Sequence, residues 1–215
     1  MSLILDLIFP KKCYGCEKKG EYLCSKCQKN IHVLNTQPPQ NGFNGGLSLF
    51  KYQSILKSAI VDLKYNFITD NTEDLACFCV KTLKSNFPNL LNYWHQNNFI
   101  LTPIPLHFLR QNWRGFNQSE ILSRKIASKL SLEFSNQILI RHQNTAIQAR
   151  IKNVKDRTKN VDNIFSLTKN SDQFKNKNVI LFDDVSTTNS TLVSAQKTLR
   201  TLPLNQCWFL TLLAG

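Results

Sequence analysis

The chain has 215 residues, which is enough for one ordinary α/β domain with a small appendage but not for three independent cores. Hydrophobic residues make up 42% of the sequence and charged residues 19%, a composition that excludes a wholly disordered chain. Lys and Arg number 27 against 14 for Asp and Glu, which gives a net charge of +13. Because a positive field concentrates anions, we expect an anionic partner such as a phosphate, a nucleic acid or an acidic lipid headgroup.

The first apolar stretch of the chain, residues 3–9, is much shorter than the roughly 20 residues that a membrane helix needs. It contains Asp6 and lacks the basic leading region and the small-residue cleavage site of a secretory signal. Seven cysteines without such a signal favour a reducing compartment over a disulfide framework. We therefore expect no membrane span and a cytoplasmic location.

Four cysteines near the amino terminus have the spacing of a metal site. Cys13 and Cys16 form one C-x-x-C pair, and Cys24 and Cys27 form a second pair after a gap of seven residues. Two such pairs present four thiolates in the tetrahedral arrangement that Zn²⁺ prefers. Because four thiolates leave no open position, we predict a structural zinc that holds together a segment too small for its own core. A redox dithiol is the weaker alternative, since redox C-x-x-C pairs usually occur singly.

A domain boundary is predicted after the cysteines, because Pro38, Pro39, Gly42, Gly45 and Gly46 make residues 35–46 rich in turn formers. The expected domains are a four-cysteine module at 1–40 and a larger domain at 46–215. Periodicity predicts strands at 46–52, 99–104, 137–140, 163–167, 179–182 and 207–213, and helices at 54–65, 72–83 and 190–199. Strands that alternate with helices indicate a mostly parallel sheet covered on both faces.

One more helix is predicted to begin after Asn117, with Asn117 and Glu120 as its capping box. The three cysteines outside the amino-terminal set are predicted to be buried thiols: Cys77, Cys79 and Cys207.

Residues 179–191 place four apolar residues, two carboxylates and a run of hydroxyls in front of a helix. Ligands bind at the carboxyl edge of an open α/β sheet, where this order of residues puts Asp183 and Asp184. Adjacent carboxylates suit vicinal hydroxyls or a hydrated metal, while hydroxyls at a helix N-terminus make a phosphate cradle. The segment therefore predicts a sugar-phosphate site, although a solvated loop with a threonine cap would explain each part alone.

This segment resembles the phosphoribosyl pyrophosphate (PRPP) signature of the type I phosphoribosyltransferases. The resemblance implies that Asp183 and Asp184 hold the ribose hydroxyls of Mg²⁺-bound PRPP. Asn189 stands where that family usually has glycine, and asparagine tolerates a left-handed backbone but crowds the phosphate slightly. Thr187 stands where some purine-salvage members have an aspartate base, which disfavours that chemistry. The loop residues implied to hold the 5′-phosphate are Ser186, Thr187, Thr188, Asn189, Ser190 and Thr191.

Two further segments resemble the ComF family, competence proteins that act in natural transformation. Residues 103–107 (Pro-Ile-Pro-Leu-His) and 114–118 (Arg-Gly-Phe-Asn-Gln) are similar to the central motif of that family. Its later part is matched by Thr145, Gln148, Arg157, Asn160 and Phe165, and the four cysteines complete the pattern. The resemblance implies an α/β fold, with a type I phosphoribosyltransferase-like parallel sheet flanked by helices and a small four-cysteine zinc module.

The loop that follows the strand at 99–104 is implied to hold the pyrophosphate of PRPP through Ile104 and Pro105. Arg114 and Arg157 are the candidates for a catalytic role. Residues 114–117 also fit a purely structural helix entry, and His107 is more typical of a loop hydrogen-bonding residue than of a base.

Residues 141–160 hold six cations, including Arg141 and Arg157, against one acid, Asp156. The position corresponds to the mobile loop that covers pyrophosphate in type I enzymes, but the same cations suit a nucleic-acid backbone or a solvated linker. The candidate DNA-binding residues are Lys11, Lys12, Lys18, Lys19, Lys152 and Lys155.

The ComF resemblance implies a competence protein that binds Mg²⁺-PRPP and single-stranded DNA during DNA uptake, with other competence proteins as further partners. The first alternative is a phosphoribosyltransferase that acts on an unidentified nucleobase or amine acceptor. The second is a non-catalytic PRPP sensor.

Overall fold

The structure is a computed structural model that describes residues 10–142 and 164–215. Six of the described strands form one sheet in the order β1-β2-β8-β7-β3-β4, and all neighbours in it are parallel except β1 and β2. The strands of this sheet are β1 (Thr36–Gln37), β2 (Gly45–Lys51), β3 (Phe99–Pro103), β4 (Glu133–Phe134), β7 (Asn178–Ser186) and β8 (Gln206–Ala214). A separate antiparallel pair consists of β5 (Leu139–Arg141) and β6 (Phe165–Leu167).

Helices cover both faces of the main sheet. Successive side chains of β7 point to opposite faces, so Ile180 and Phe182 belong to one buried cluster and Val179 and Leu181 to another. The described helices are α1 (Ser25–Gln28), α2 (Ser54–Tyr65), α3 (Asn71–Asn86), α4 (Pro88–Gln96), α5 (Phe108–Arg114), α6 (Gln118–Leu130) and α7 (Ser190–Leu199), with a 3₁₀ turn at Ser171–Phe174. The predicted α/β fold with a mostly parallel sheet covered on both faces is confirmed.

Among these described helices, none has the length and apolar character needed to cross a membrane.

β7 is longer than the predicted strand at 179–182. The strand continues through Ser186 because Asp183 pairs with Thr211 of β8 and Val185 pairs with Leu213. The predicted strand end at residue 182 was therefore wrong, and Asp183 and Asp184 are part of the strand itself. Helices α4 and α5 and the short strands β1 and β4 were not predicted.

Gly45 and Gly46 are the first residues of β2 and are required by packing against β8, not by a linker. A Cβ at Gly46 would lie 2.0 Å from the ring of Phe209 on β8, so only glycine fits this position in the sheet. β1 pairs with β2 across the predicted boundary, with Thr36 opposite Leu47. The division into 1–40 and 46–215 stays a prediction.

The cysteine-containing segment packs against α2 and α3. The backbone N–H of Tyr22 donates to Asp74 Oδ2 at 2.6 Å, and Asn71 Nδ2 donates to Tyr14 Oη at 3.0 Å. Ile55 of α2 packs against the cysteines themselves. These contacts fix the segment on α2 and α3.

Candidate functional site

The candidate site lies at the carboxyl edge of the two neighbouring strands β3 and β7. These strands are parallel, and the backbone N–H of Ile104, just after β3, donates to Phe182 O of β7. Their ends therefore meet at one edge of the sheet, where open α/β sheets bind ligands. A cavity of about 190 Å³ opens there, lined by Lys64, Ile104, Pro105, Leu106, Arg110, Asn117, Gln118, Ser119, Arg141, Asp183, Asp184, Val185 and Thr191.

The two aspartates of β7 make different contacts in this cavity. Asp184 is 2% exposed, and its Oδ2 forms an ion pair with Lys64 Nζ of α2 at 2.6 Å. Gln118 Nε2 donates to Asp184 Oδ1 at 3.3 Å. Asp183 is less buried and accepts a hydrogen bond from Ser119 Oγ at 2.9 Å. The start of α6 therefore positions both carboxylates, while α2 neutralises one of them.

The burial and close spacing of charged groups in the cavity shift their pKa values. Burial, reinforced by the charge of Asp184, raises the pKa of Asp183 to about 7, and Lys64 opposes the shift. Burial and the neighbouring Arg110 lower the pKa of Arg141, while Asp183 acts in the opposite direction. Two carboxylates thus face three cations across a small space. This arrangement suits a ligand that carries both hydroxyl and anionic groups.

Asn117 connects the loop after β3 to the start of α6. Its Oδ1 accepts from the backbone N–H of Ser119 at 3.1 Å, and its Nδ2 donates to Ile104 O at 3.0 Å. The predicted N-cap is confirmed. The other half of the capping box is wrong, because Glu120 bonds Arg124 and Asn136 instead of returning to the cap.

The hydroxyl-rich loop after β7 turns at Asn189, which has φ 55° and ψ 4°. The left-handed conformation is the one that asparagine was expected to tolerate in place of glycine. Ser186 Oγ donates to Asn189 Oδ1 at 2.5 Å, and Thr188 Oγ1 donates to Ser190 Oγ at 2.9 Å at the start of α7. Thr191 reaches the cavity wall, and the side chains of Thr187, Thr188 and Ser190 are exposed. That this loop holds a phosphate stays a prediction.

Arg114 lies behind the cavity rather than on its wall. The side chain is 8% exposed, and its Nη1 donates to Gln118 Oε1, which in turn holds Asp184. Burial lowers the pKa of Arg114, and the Asp184 charge opposes that shift. The geometry places Arg114 as a support for Gln118, while its catalytic role stays a prediction.

His107 is a loop hydrogen-bonding residue, as predicted from the sequence. Its Nδ1 accepts from the backbone N–H of Leu109 as the N-cap of α5, and its Nε2 lies 2.9 Å from His142 O. Because Nδ1 accepts, the Nε2 position carries the proton that bonds His142 O. The imidazole is therefore a structural connector.

Several predicted residues lie outside the described part of the chain: Thr145, Gln148, Lys152, Lys155, Arg157 and Asn160. Phe165, from the same motif, is a buried residue of β6. Of the predicted DNA-binding lysines in the cysteine module, Lys12, Lys18 and Lys19 are exposed and Lys11 is half-buried.

Four residues of the cavity wall were not predicted from the sequence: Lys64, Arg110, Gln118 as an aspartate ligand, and Ser119. Ser119 lies two residues after the predicted N-cap, Asn117, so its approach to the β7 end could have been inferred from the sheet order. Lys64 has no such signal, because it ends an amphipathic helix in the way that solvated lysines commonly do.

The four amino-terminal cysteines converge, with ligand atoms all within 4.8 Å of one another. A Cβ at Gly15 would lie 2.7 Å from Cys27 Sγ, which explains the glycine. Burial raises the pKa of Cys13, but backbone N–H groups of Cys24, Gly15 and Cys16 outweigh it and lower the pKa to about 6. The Cys24 side chain raises the pKa of Cys27 to about 12. Four thiol ligand atoms that converge in this way fit a divalent cation such as zinc.

The predictions for the other cysteines are confirmed in two cases of three. Cys79 and Cys207 are buried, whereas Cys77 is exposed on α3 and lies 3.7 Å from Glu73 Oε1. Helix residues two positions apart point to opposite sides, so Cys77 and Cys79 cannot share a face.

Comparison with known proteins places the chain beside competence proteins, although no family model matches it. Competence protein F of Haemophilus influenzae is 38% identical over 106 residues, a match that covers 49% of this chain and 46% of that protein. Competence protein ComFC of Bacillus subtilis is 25% identical over 204 residues, covering 88% of this chain and 78% of that protein. The match thus spans less than half of the Haemophilus protein. The resemblance to the ComF family drawn from the motifs is confirmed.

Among solved structures, the adenine phosphoribosyltransferase of Leishmania tarentolae matches 91% of this chain and 90% of its own, with 16% identity and a TM-score of 0.37. The enzyme from Trypanosoma brucei, in complex with AMP, pyrophosphate and ribose-5-phosphate, matches 85% of this chain and 87% of its own, with 14% identity and a TM-score of 0.39. Similarity at this level says nothing about function.

Proposed function

We propose, on the premise that this chain is a relative of the ComF-type competence proteins, that it binds Mg²⁺-PRPP and single-stranded DNA and serves DNA uptake in natural transformation. The motifs and the two competence relatives support the process, and the described cavity supports the small-molecule ligand. Each part of the proposal has its own experiment.

One observation carries the small-molecule half of the proposal. Asp183 and Asp184 emerge side by side at the carboxyl edge of the sheet, facing Lys64, Arg110 and Arg141 across the same cavity. A ligand that fits needs hydroxyls for the carboxylates and several anionic oxygens for the cations. PRPP meets both conditions, since it joins a vicinal diol to a phosphate and a pyrophosphate.

Each part of PRPP has a counterpart in the cavity. The carboxylates of Asp183 and Asp184 would accept from the ribose hydroxyls, and the loop at 186–191 would donate to the 5′-phosphate at the start of α7. The turn of Ile104 and Pro105, beside Arg110, would hold the pyrophosphate. Bound Mg²⁺ would neutralise phosphate charge, with oxygen ligands of the kind that Asp183 and Asp184 offer.

The ion pair between Lys64 and Asp184 tunes this arrangement. Lys64 Nζ is 2.6 Å from Asp184 Oδ2, so its positive charge compensates one of the two adjacent carboxylates in a cavity that is partly shielded from water. Gln118 donates to Asp184 Oδ1 and Ser119 donates to Asp183 Oδ1, so both carboxylates are restrained. The carboxylates are therefore oriented before a ligand arrives, which reduces the ordering entropy of binding.

The DNA half of the proposal rests on charge. The chain carries a net charge of +13, and Lys12, Lys18 and Lys19 of the cysteine module are exposed and do not line the cavity. Binding through phosphates releases counterions, so affinity should fall steeply with salt and depend little on base sequence.

Changing Lys11, Lys12, Lys18 and Lys19 to Gln tests this half. Fluorescence anisotropy of a labelled single strand, at two salt concentrations, should show weaker and less salt-dependent binding for the variant. Binding of Mg²⁺-PRPP should be unchanged, because none of the four lysines lines the cavity. Salt-insensitive DNA binding, or none at low salt, would remove nucleic acid from the proposed function.

A second candidate function, transfer of phosphoribose to an acceptor, is favoured by an adjoining cavity of about 270 Å³. This cavity shares Pro105, Leu106, Asn117 and Arg141 with the first and adds apolar walls from Phe108, Leu139 and Ile140. Apolar walls with a few amides suit a planar heterocycle. In the transfer, an acceptor nitrogen would bond the anomeric carbon as its bond to the pyrophosphate oxygen breaks, releasing pyrophosphate and a proton.

Pyrophosphate release from Mg²⁺-PRPP distinguishes phosphoribosyl transfer from binding without transfer. A panel of nucleobases, amines and single-stranded DNA is incubated with the protein, and released pyrophosphate is measured. Acceptor-dependent release would establish the transferase, whereas binding without release by any acceptor would favour a PRPP sensor.

A further inference from the structure

We propose that three exposed aromatic side chains beside the cavity, Tyr65, Phe67 and Trp113, form a stacking surface for the bases of a single-stranded nucleic acid. We call them the aromatic patch. The proposal rests on the DNA-binding part of the function above and adds the place where bases, rather than phosphates, are held.

The exposure of the patch is unusual. Trp113 is 59% exposed, Tyr65 58% and Phe67 44%, and these are three of the six large hydrophobic side chains that are exposed in the described part of the chain. Folding alone does not favour leaving such surface in water, because each ring would gain from burial. A grouped set of exposed rings therefore points to a ligand.

The patch is an ordered group rather than a scatter of rings. The Trp113 ring lies 5.5 Å from Phe67 and 6.5 Å from Tyr65, with interplanar angles of 61° and 56°. Phe116 supports Phe67 from a half-buried position, at 6.5 Å. The rings come from the end of α2, the turn after it and the end of α5, so three segments of chain fix their positions.

A short chain of contacts connects the patch to the sugar-phosphate cavity. The Arg114 guanidinium lies over the Tyr65 ring, 5.9 Å from its centroid, and donates to Gln118, which contacts Asp184 at 3.3 Å. Lys64, next to Tyr65 in sequence, lines the cavity. A strand stacked on the patch would therefore run alongside the cavity that the proposed function assigns to PRPP.

Charge favours nucleic acid over a second copy of this chain as the occupant. Arg110, one turn before Trp113, lines the cavity, and with Lys64 and Arg114 it makes the boundary between patch and cavity cationic. The nearest acid along α2, Asp62, accepts a hydrogen bond from Asn66 at 2.8 Å. Two copies meeting through this surface would bring like charges together in chains of +13 each, whereas a phosphate backbone would be attracted. Stacking on aromatic rings is the usual way in which such proteins hold bases without reading their sequence.

The experiment compares a single-stranded oligo-dT with an abasic oligonucleotide of the same length and charge. For the unchanged protein we expect oligo-dT to bind more tightly, by about tenfold, which corresponds to about one stacked base. Trp113→Ala should reduce oligo-dT affinity to the abasic level, and Trp113→Phe should retain most of it. Leu109→Ala is the matched control, since it removes a large exposed apolar side chain from the same helix, outside the patch and both cavities. It should leave the preference unchanged.

Intrinsic fluorescence gives an independent measurement. Trp94 is fully buried and Trp208 is half-buried, so quenching on addition of oligo-dT should come from Trp113 and vanish in Trp113→Phe. Equal affinity for both oligonucleotides, or equal losses in Trp113→Ala and Leu109→Ala, would overturn the stacking proposal while leaving phosphate-driven binding intact. No binding of either oligonucleotide would overturn the DNA half of the proposed function as well. A dimer that becomes monomeric in Trp113→Ala, measured by sedimentation, would reassign the patch to contact between copies.

Discussion

Asp183 is the residue at which the proposed binding function acts against stability. Burial and the charge of Asp184 raise its pKa to about 7, from the ordinary 3.8. For an acid whose pKa is raised on folding, the favourable contribution of the neutral form is present below pH 3.8 and is lost as the pH rises through about 7. At pH 8 the ionised carboxylate therefore opposes folding in the absence of a ligand.

Asp183→Asn should accordingly raise the melting temperature at pH 8 and leave it nearly unchanged at pH 4. The amide keeps an oxygen for Ser119 and the backbone but removes the charge. Thermal unfolding at the two pH values, without ligand, is the measurement. Asp172→Asn is a suitable control, because Asp172 is exposed and its ion pair with Lys175 lies at the surface. A variant that is no more stable than the unchanged protein at pH 8 would show that the charge of Asp183 does not oppose folding.

At the scale of elements, the junction between the loop after β3 and α6 depends on Asn117. Asn117→Ala removes an N-cap and the bond to Ile104 O together, and we expect it to reduce the free energy of unfolding by about 1–2 kcal/mol. Asn117→Asp keeps the cap acceptor but loses the donor to Ile104 O and adds a third anion to the cavity. In denaturant titrations, the Asp variant should retain more stability than the Ala variant at pH 4. Equal losses at that pH would mean that the cap contributes little.

The four-cysteine module is the other element with a direct test. We expect one zinc ion per chain, held by Cys13, Cys16, Cys24 and Cys27. Metal analysis of the purified protein should find it, and Cys13→Ser should lower zinc content and stability together. The exposed Cys77 offers a matched control, since Cys77→Ser should change neither. Protein without zinc, or unchanged zinc in Cys13→Ser, would contradict the assignment.

The sequence predicts the bounds of α2 (54–65) and α7 (190–199) without error, because each combines an apolar helical face with clear flanking turns. It fails at β7, where Asp183 and Asp184 look like a loop but are held in the strand by pairing with β8 and by contacts from α2 and α6. The half of the site that lies within one segment is therefore visible in the sequence. Lys64 and Arg110 come from distant helices, and only the tertiary structure brings them to the carboxylates.

At the scale of the whole molecule, the parallel sheet brings carboxylates, cations and hydroxyl groups together at one edge. The β3 loop, the β7 aspartates, the hydroxyl-rich turn and cations from α2, α5 and β5 all reach the same cavity. The aromatic patch contacts Arg114 on one side of this cavity. The apolar cavity of Phe108 and Leu139 adjoins the same cavity on the side of Asn117 and Arg141. The fold therefore offers places for a sugar phosphate, for a planar acceptor and for stacked bases within one region.

The central claim is that this edge of the sheet binds Mg²⁺-PRPP, and thermal unfolding with and without the ligand tests it most directly. A ligand that binds only the folded state at about 100 times its dissociation constant adds about 2.7 kcal/mol, which for a chain of this size is a rise of about 5–10 °C in melting temperature. Mg²⁺ alone and Mg²⁺ with ribose 5-phosphate are the ligand controls. We expect the double variant Asp183→Asn with Asp184→Asn to lose the PRPP-induced rise, measured from its own unliganded melting temperature. A full rise in that double variant, or none in the unchanged protein, would contradict the central claim.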